Sequence, residues 1–185
     1  MKLLLVGAPG SGKGTQSQAL ASLYGIEHIS SGEVLRSEVR AGTPLGREIA
    51  AFQRRGDLVP DDIVFDLLTP VVAAAAARGG YILDGFPRTV PQALQAADIA
   101  RRLDLTLDAA IYLNVPEPVL LQRLMARARP DDTEEVIKHR LEVYAETTNP
   151  LIAYYRQQRG ILVEVDGDQP PEAITAEIQA RLADR

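Results

Sequence analysis

The sequence predicts an α/β fold in which five parallel strands form one sheet with helices on both faces. Three observations predict it. The 185 residues, 46% apolar and 24% charged, suffice for one compact domain with a real core. Short β-type runs recur at residues 3–6, 26–29, 81–83, 109–115 and 161–165, with helically spaced segments between them. Within these runs the apolar residues are consecutive, which suits strands covered on both faces.

The elements can be justified in order. Leu3, Leu4, Leu5 and Val6 form a buried first strand that runs into glycine-rich Gly7–Gly14 and then a helix. Ser30 with Glu33, Thr89 with Gln92, and Asp132 with Glu135 have capping-box spacing and mark helix starts. About 50 residues separate the second and third strands, enough for a crossover helix and an inserted helical piece, placed at residues 30–59. Pro60, Pro116 with Pro118, and Pro170 with Pro171 precede new helices, and Asn149–Pro150 should divide the helical stretch over residues 133–158. Ala73–Ala77 reads as a packed helix, alanine being the best helix former.

Composition narrows the function. A formal charge of −5 argues against a binder of polymeric nucleic acid, which needs a broad basic surface. With no cysteine, disulfides, thiolate zinc sites and cysteine nucleophiles drop out, and a cytoplasmic location fits. No apolar run approaches the roughly 20 residues that span a bilayer, and the run at 3–6 is too short for a signal-peptide core.

Three segments carry chemistry. In Gly7–Ala8–Pro9–Gly10–Ser11–Gly12–Lys13–Gly14–Thr15, glycines let successive amides converge on oxygens, a helix N-terminus adds partial positive charge, and Lys13 adds a full one. The generic phosphate-loop pattern wants Ser or Thr directly after the lysine, whereas Gly14 intervenes here. Asp84 stands at the C-terminal end of a buried strand, where open α/β sheets bind ligands, and could hold Mg²⁺ through water; capping or pairing with a nearby charge is the blander reading. Arg123 and Arg127 share a helix face opposite Leu120, Leu121, Leu124 and Met125, with Arg129 following and Arg140 on the next helix beside Ile137, Leu141 and Tyr144. Singly each arginine is a solvated charge, but together they suit phosphoryl oxygens.

The segments Gly7–Gln16, Ile29–Arg36, Asp84–Gln92 and Arg129–Glu135 together resemble the adenylate kinases, and the resemblance covers essentially the whole chain. Gly14 is what that family carries. The resemblance implies a P-loop nucleoside monophosphate kinase fold and a magnesium-dependent transfer from ATP to AMP. ATP phosphates would lie on Gly10, Ser11, Gly12, Lys13, Gly14 and Thr15, with Arg123 and Arg127 closing over ATP and the backbone near Gln169 lining its adenine. AMP would be held by Ser31, Arg36, Asp57, Leu58, Val59, Gly85, Phe86, Pro87, Arg88 and Gln92. Arg129 and Arg140 would reach the phosphates between the nucleotides, so that Lys13, Arg88, Arg123, Arg127, Arg129 and Arg140 form the catalytic set. Asp84 would serve Mg²⁺ through water.

Residues 30–59 look like the mobile AMP-binding piece. Ser31 replaces a threonine common among relatives, and the hydroxyl survives. Many bacterial relatives carry a lid of some tens of residues between the arginines matching Arg127 and Arg129, sometimes holding zinc; only Ala128 stands there here, so a minimal lid loop over about 127–133 is expected, with no zinc. A monomer acting on ATP, AMP and ADP follows, with neither nucleic acid nor membrane as partner. Two alternatives stand beside it: a UMP/CMP kinase, whose relatives usually continue Gly85–Arg88 with asparagine where Thr89 stands, and a noncatalytic nucleotide-binding regulatory module, against which the lack of an Asn-Lys-x-Asp motif speaks.

Overall fold

The computed structural model describes residues 1–127, 133–158 and 160–183. Among them five strands form one parallel sheet in the order β2-β3-β1-β4-β5. They are β1 (Lys2–Gly7), β2 (Glu27–Ser30), β3 (Tyr81–Asp84), β4 (Ala109–Asn114) and β5 (Leu162–Asp166), each within a residue or two of its predicted place. The helices are α1 (Lys13–Tyr24), α2 (Ser31–Arg40), α3 (Pro44–Arg55), α4 (Asp61–Ala77), α5 (Val90–Arg102), α6 (Glu117–Arg127), α7 (Glu134–Thr147), α8 (Asn149–Gln157) and α9 (Pro171–Ala183).

β1 is central because nearly every one of its side chains is apolar and buried, so it needs cover on both faces. On one face Leu3 and Leu5 pack with Leu20 and Ala21 of α1 and Ile174 and Ile178 of α9. On the other, Leu4 and Val6 meet Ala93 of α5 and Leu151, Ile152 and Tyr155 of α8. The period-2 alternation of one strand thus feeds two cores.

The register aligns the strands' carboxyl ends. Ser30 pairs with Asp84, Leu5 with Asp84, and Gly7 with Leu113. The chain leaves β1 toward β2 on one side, while β4 leads to β5 on the other, so a crevice opens above these ends.

Local signals differ in outcome. Thr89 caps α5, its Oγ1 accepting from Gln92 N at 3.2 Å. Ser30 is the N-cap of α2, but its side chain makes no cap bond, and Glu33 instead accepts from Arg36 and Arg40. The cap of α7 is Thr133, one residue beyond the expected Asp132, accepting from Val136 N at 3.3 Å. The break at Asn149 divides α7 from α8. Met125, read as part of the apolar face of α6, is 61% exposed, whereas Leu120 and Leu124 are buried. No helix among the described residues is long and apolar enough to cross a membrane.

Residues 30–59 hold α2 and α3, whose Leu35 and Ile49 pack with Val64, Phe65 and Leu68 of α4. Arg129 and the interior of the predicted lid loop fall outside the described residues.

Candidate active site

The loop after β1 turns on Gly10 (φ 85°) and Gly12 (φ 92°), left-handed conformations that glycine adopts without strain. It is fixed from below. A Cβ on Gly10 would stand 2.9 Å from Leu124 Cγ and 3.1 Å from Leu120 O, so α6 presses on the loop at a point only glycine permits. Gly12 is the N-cap of α1 and supplies no side-chain acceptor, which leaves the first-turn amides available to an anion. Lys13 Nζ donates to Gly7 O at 2.8 Å and Ala8 O at 2.9 Å. Burial pushes its pKa down to about 8; Asp84 opposes that shift, and Arg88 and Arg127 add to it.

The end of β3 supplies the facing group. Asp84 is buried, and its Oδ2 accepts from His28 Nε2 at 2.8 Å, the carboxylate fixing which ring nitrogen donates. Gly85 follows with φ 81°, and a Cβ there would collide with Ser31 Oγ at 2.6 Å. Phe86, edge-on to Phe65 at 5.0 Å, anchors the turn, which carries a cis Phe86–Pro87 bond. Arg88 Nε donates to Gly85 O at 2.8 Å, and the buried Thr148 donates from Oγ1 to Arg88 O at 2.9 Å. Desolvation within the cleft lowers the Arg88 pKa, with Asp84 opposing and Arg140 and Arg36 adding.

These elements enclose a cavity of about 520 Å³. Of the residues predicted for the two nucleotides, Gly10, Gly12, Lys13, Gly14, Thr15, Ser31, Arg36, Asp57, Leu58, Val59, Gly85, Phe86, Pro87, Arg88, Gln92, Arg123, Arg127 and Arg140 line it, as does Asp84. Ser11 does not: it is wholly buried, its Oγ 2.6 Å from where a Cβ on Gly7 would stand. Gln169 also lies off the cavity wall: its Nε2 donates to Asp166 O at 3.2 Å and Glu177 Oε2 at 3.3 Å.

The arginines arrive from different elements. From α6, Arg123 Nη1 donates to Gly167 O at 3.0 Å, which ties it to the loop after β5. Arg140, on α7, donates from Nη2 to Gln53 O at 3.4 Å. Arg36 is paired with Glu33 at 2.9 Å. Ser31 Oγ is buried with no hydrogen-bond partner, an acceptor and donor left to whatever enters the cavity. Gln92 is buried, its Oε1 accepting from Arg88 N at 2.7 Å and its Nε2 donating to Asp61 Oδ1 at 2.6 Å. The reciprocal half of the expected capping box is therefore absent, and Gln92 braces the Arg88 turn instead.

Sequence reasoning missed His28, Gln53, Gly56 and Thr148. His28 gave no signal beyond being one of two histidines, and Thr148 was visible only as part of the break before Pro150.

Open parallel topology, a glycine-rich loop with its buried lysine, and arginines converging from α6, α7 and the β3 turn fit one class: a phosphate-loop nucleotide phosphotransferase. Residues 5–160 match the adenylate kinase family. The chain is 45% identical over 182 residues to the adenylate kinase of Synechococcus sp. (strain WH7803) and 46% identical over 182 residues to that of Parasynechococcus marenigrum (strain WH8102), each time over 98% of both chains. It is 45% identical to the adenylate kinase of Nitrobacter hamburgensis, over 96% of this chain and 90% of the relative. The chain belongs to the adenylate kinase family, and so to the nucleoside monophosphate kinases.

Proposed function

We propose that this chain transfers the terminal phosphoryl group of MgATP to AMP, reversibly, giving two ADP. One observation carries the reading: a single cavity joins the phosphate loop to a second wall, formed by Ser31, residues 57–59, Gly85–Arg88 and Gln92, with Arg88, Arg123, Arg127 and Arg140 around it. A noncatalytic nucleotide sensor has no use for a second wall lined with arginine.

Such a transfer needs positioning and charge neutralisation more than covalent chemistry. The amides of the loop and Lys13 hold the donor phosphates. Arg88 and Arg140 face the acceptor phosphate, while Arg123 and Arg127 spread over the transferring group, where charge develops in the transition state. No protein nucleophile is required. Among the described residues no group of three acidic, histidine or cysteine side chains could cage a metal, but Mg²⁺ needs few protein carboxylates and keeps several waters. The carboxylate of Asp84 and the hydroxyl of Thr15, which line the same cavity, suit it. When bound with the nucleotide, Mg²⁺ neutralises phosphate charge; Asp84 would meet it through water, and His28 fixes the orientation of that carboxylate.

On this reading the 30–59 segment closes over AMP, excluding water that would otherwise hydrolyse ATP, and Arg129 joins the arginine set. We infer a cytoplasmic monomer acting on small nucleotides, supported by the lack of cysteine and the acidic balance. The test is an ADP assay with MgATP and, separately, AMP, dAMP, CMP, UMP and GMP. AMP should have the highest kcat/KM; preference for UMP or CMP would reassign the acceptor, and phosphate release without ADP formation from AMP would overturn the kinase reading.

A further inference from the structure

Helix α7 touches the 30–59 segment at one corner. α3 ends at Gly56 (φ 82°), and a Cβ there would stand 3.2 Å from His139 Cδ2, 3.3 Å from Arg140 Cγ and 3.5 Å from Val136 Cγ1. The backbone therefore approaches α7 as closely as a side chain would. Asp57 follows, its Oδ1 accepting from His139 Nε2 at 3.0 Å and its Oδ2 from Arg55 Nε at 2.7 Å. The Arg55 bond, and after it the His139 bond, hold the Asp57 carboxyl below its usual pKa, so it is ionised at neutral pH. On the other side of the same turn, Arg140 donates to Gln53 O. Adjacent residues of α7 thus grip the chain before and after Gly56, one at a carbonyl and one at a carboxylate.

We propose that the Asp57–His139 pair is a clasp that sets the acceptor-binding backbone of residues 57–59 against Arg140, making His139 a positioning residue for the acceptor nucleotide. The proposal rests on the reading of that wall as the AMP site. Residues 57–59 line the cavity through the very turn that His139 holds, whereas the donor side is built on other elements, the loop after β1 and Arg123 and Arg127 of α6. Removing the clasp takes away the hydrogen bond that ties the Asp57 side of the turn to α7. The segment then spends time in arrangements where its backbone is out of place, and apparent acceptor affinity falls in proportion to the competent fraction. Both side chains are more than a third exposed, at 37% and 41%, so the effect is modest, a factor of about two to five.

The experiment compares wild type with His139→Ala, Asp57→Asn, the double variant and His139→Lys. The expected result is a rise of about two- to fivefold in KM for AMP in either single variant, and in His139→Ala kcat and KM for ATP should stay unchanged. The double variant should be no worse than the worse single, and lysine at 139, which restores a hydrogen-bond donor to the Asp57 carboxylate, should recover much of the loss. Because the chain has no cysteine, spin labels on cysteines introduced at exposed Glu48 and Glu146 give a direct readout, and the ligand-free distance distribution should broaden in His139→Ala. An unchanged KM for AMP, an equal rise in KM for ATP, or strictly additive single effects would overturn the clasp. If wild type fails to phosphorylate AMP, the acceptor reading fails instead, and the label distances still report whether the pair holds the segment.

Discussion

Lys13 should couple nucleotide binding to proton uptake near pH 8. Its ammonium is held among backbone carbonyls with Arg88 and Arg127 close by, and burial brings its pKa down to about 8 from 10.5. A bound triphosphate is a counter-charge that reverses this, so the complex favours the protonated amine more than the free protein does. From pH 7 to pH 9 the charged fraction in the free protein falls from about nine tenths to about one tenth, and affinity for MgATP should fall by up to about tenfold. The second ionisation of a phosphate is near pH 6, so the ligand's own charge changes little over that range. Isothermal titration calorimetry at pH 7, 8 and 9, in buffers of different ionisation enthalpy, measures both quantities; at pH 8 uptake should approach about half a proton. Lys13→Met should bind more weakly at pH 7 and lose the pH dependence, and Asp84→Asn, which removes the charge that raises Lys13, should move the midpoint to lower pH. Constant affinity from pH 7 to 9 with no proton uptake would refute the reasoning. The sign for stability is opposite to that of an ion-paired lysine. The folded pKa lies below the unfolded one, so this group's contribution is fully present above 10.5 and is lost as pH falls through about 8.

The buried, unpartnered hydroxyl of Ser31 should make Ser31→Ala neutral or slightly stabilising in thermal melts, while KM for AMP rises several-fold; a lower Tm with unchanged KM would make Ser31 structural. Leu124, fully buried under Gly10, should cost about 2–5 kcal/mol on replacement by alanine in urea unfolding, and the loosened loop should raise KM for ATP more than KM for AMP. Gln92→Leu strips partners from Arg88 N and Asp61, so stability should fall by about 1–2 kcal/mol, and the ratio of kcat/KM for AMP over CMP should fall with it. An unchanged ratio would leave Gln92 a brace alone.

What the sequence determined by itself is whatever a dozen neighbouring residues encode. The apolar run of β1, the glycine loop behind it, the Thr89 cap and the division of α7 from α8 each follow from side-chain spacing or backbone restrictions that no distant contact needs to supply. The phosphate loop and the Asp84–Arg88 turn were legible for the same reason. Partnerships across the fold were not. His28 meets Asp84 across 56 positions, Thr148 holds Arg88 across 60, and His139 reaches Asp57 across 82, and none of these pairs has a local pattern. Gln169 and Ser11 could be placed in the right loops but not relative to the cavity wall, because side-chain direction there depends on Glu177 and on the packing under Gly7. Strand order decided these matters: bringing β2, β3 and β1 side by side sets Ser30, Asp84 and Leu5 together toward the carboxyl end of the sheet, and only that juxtaposition tells a paired carboxylate from a solvated one.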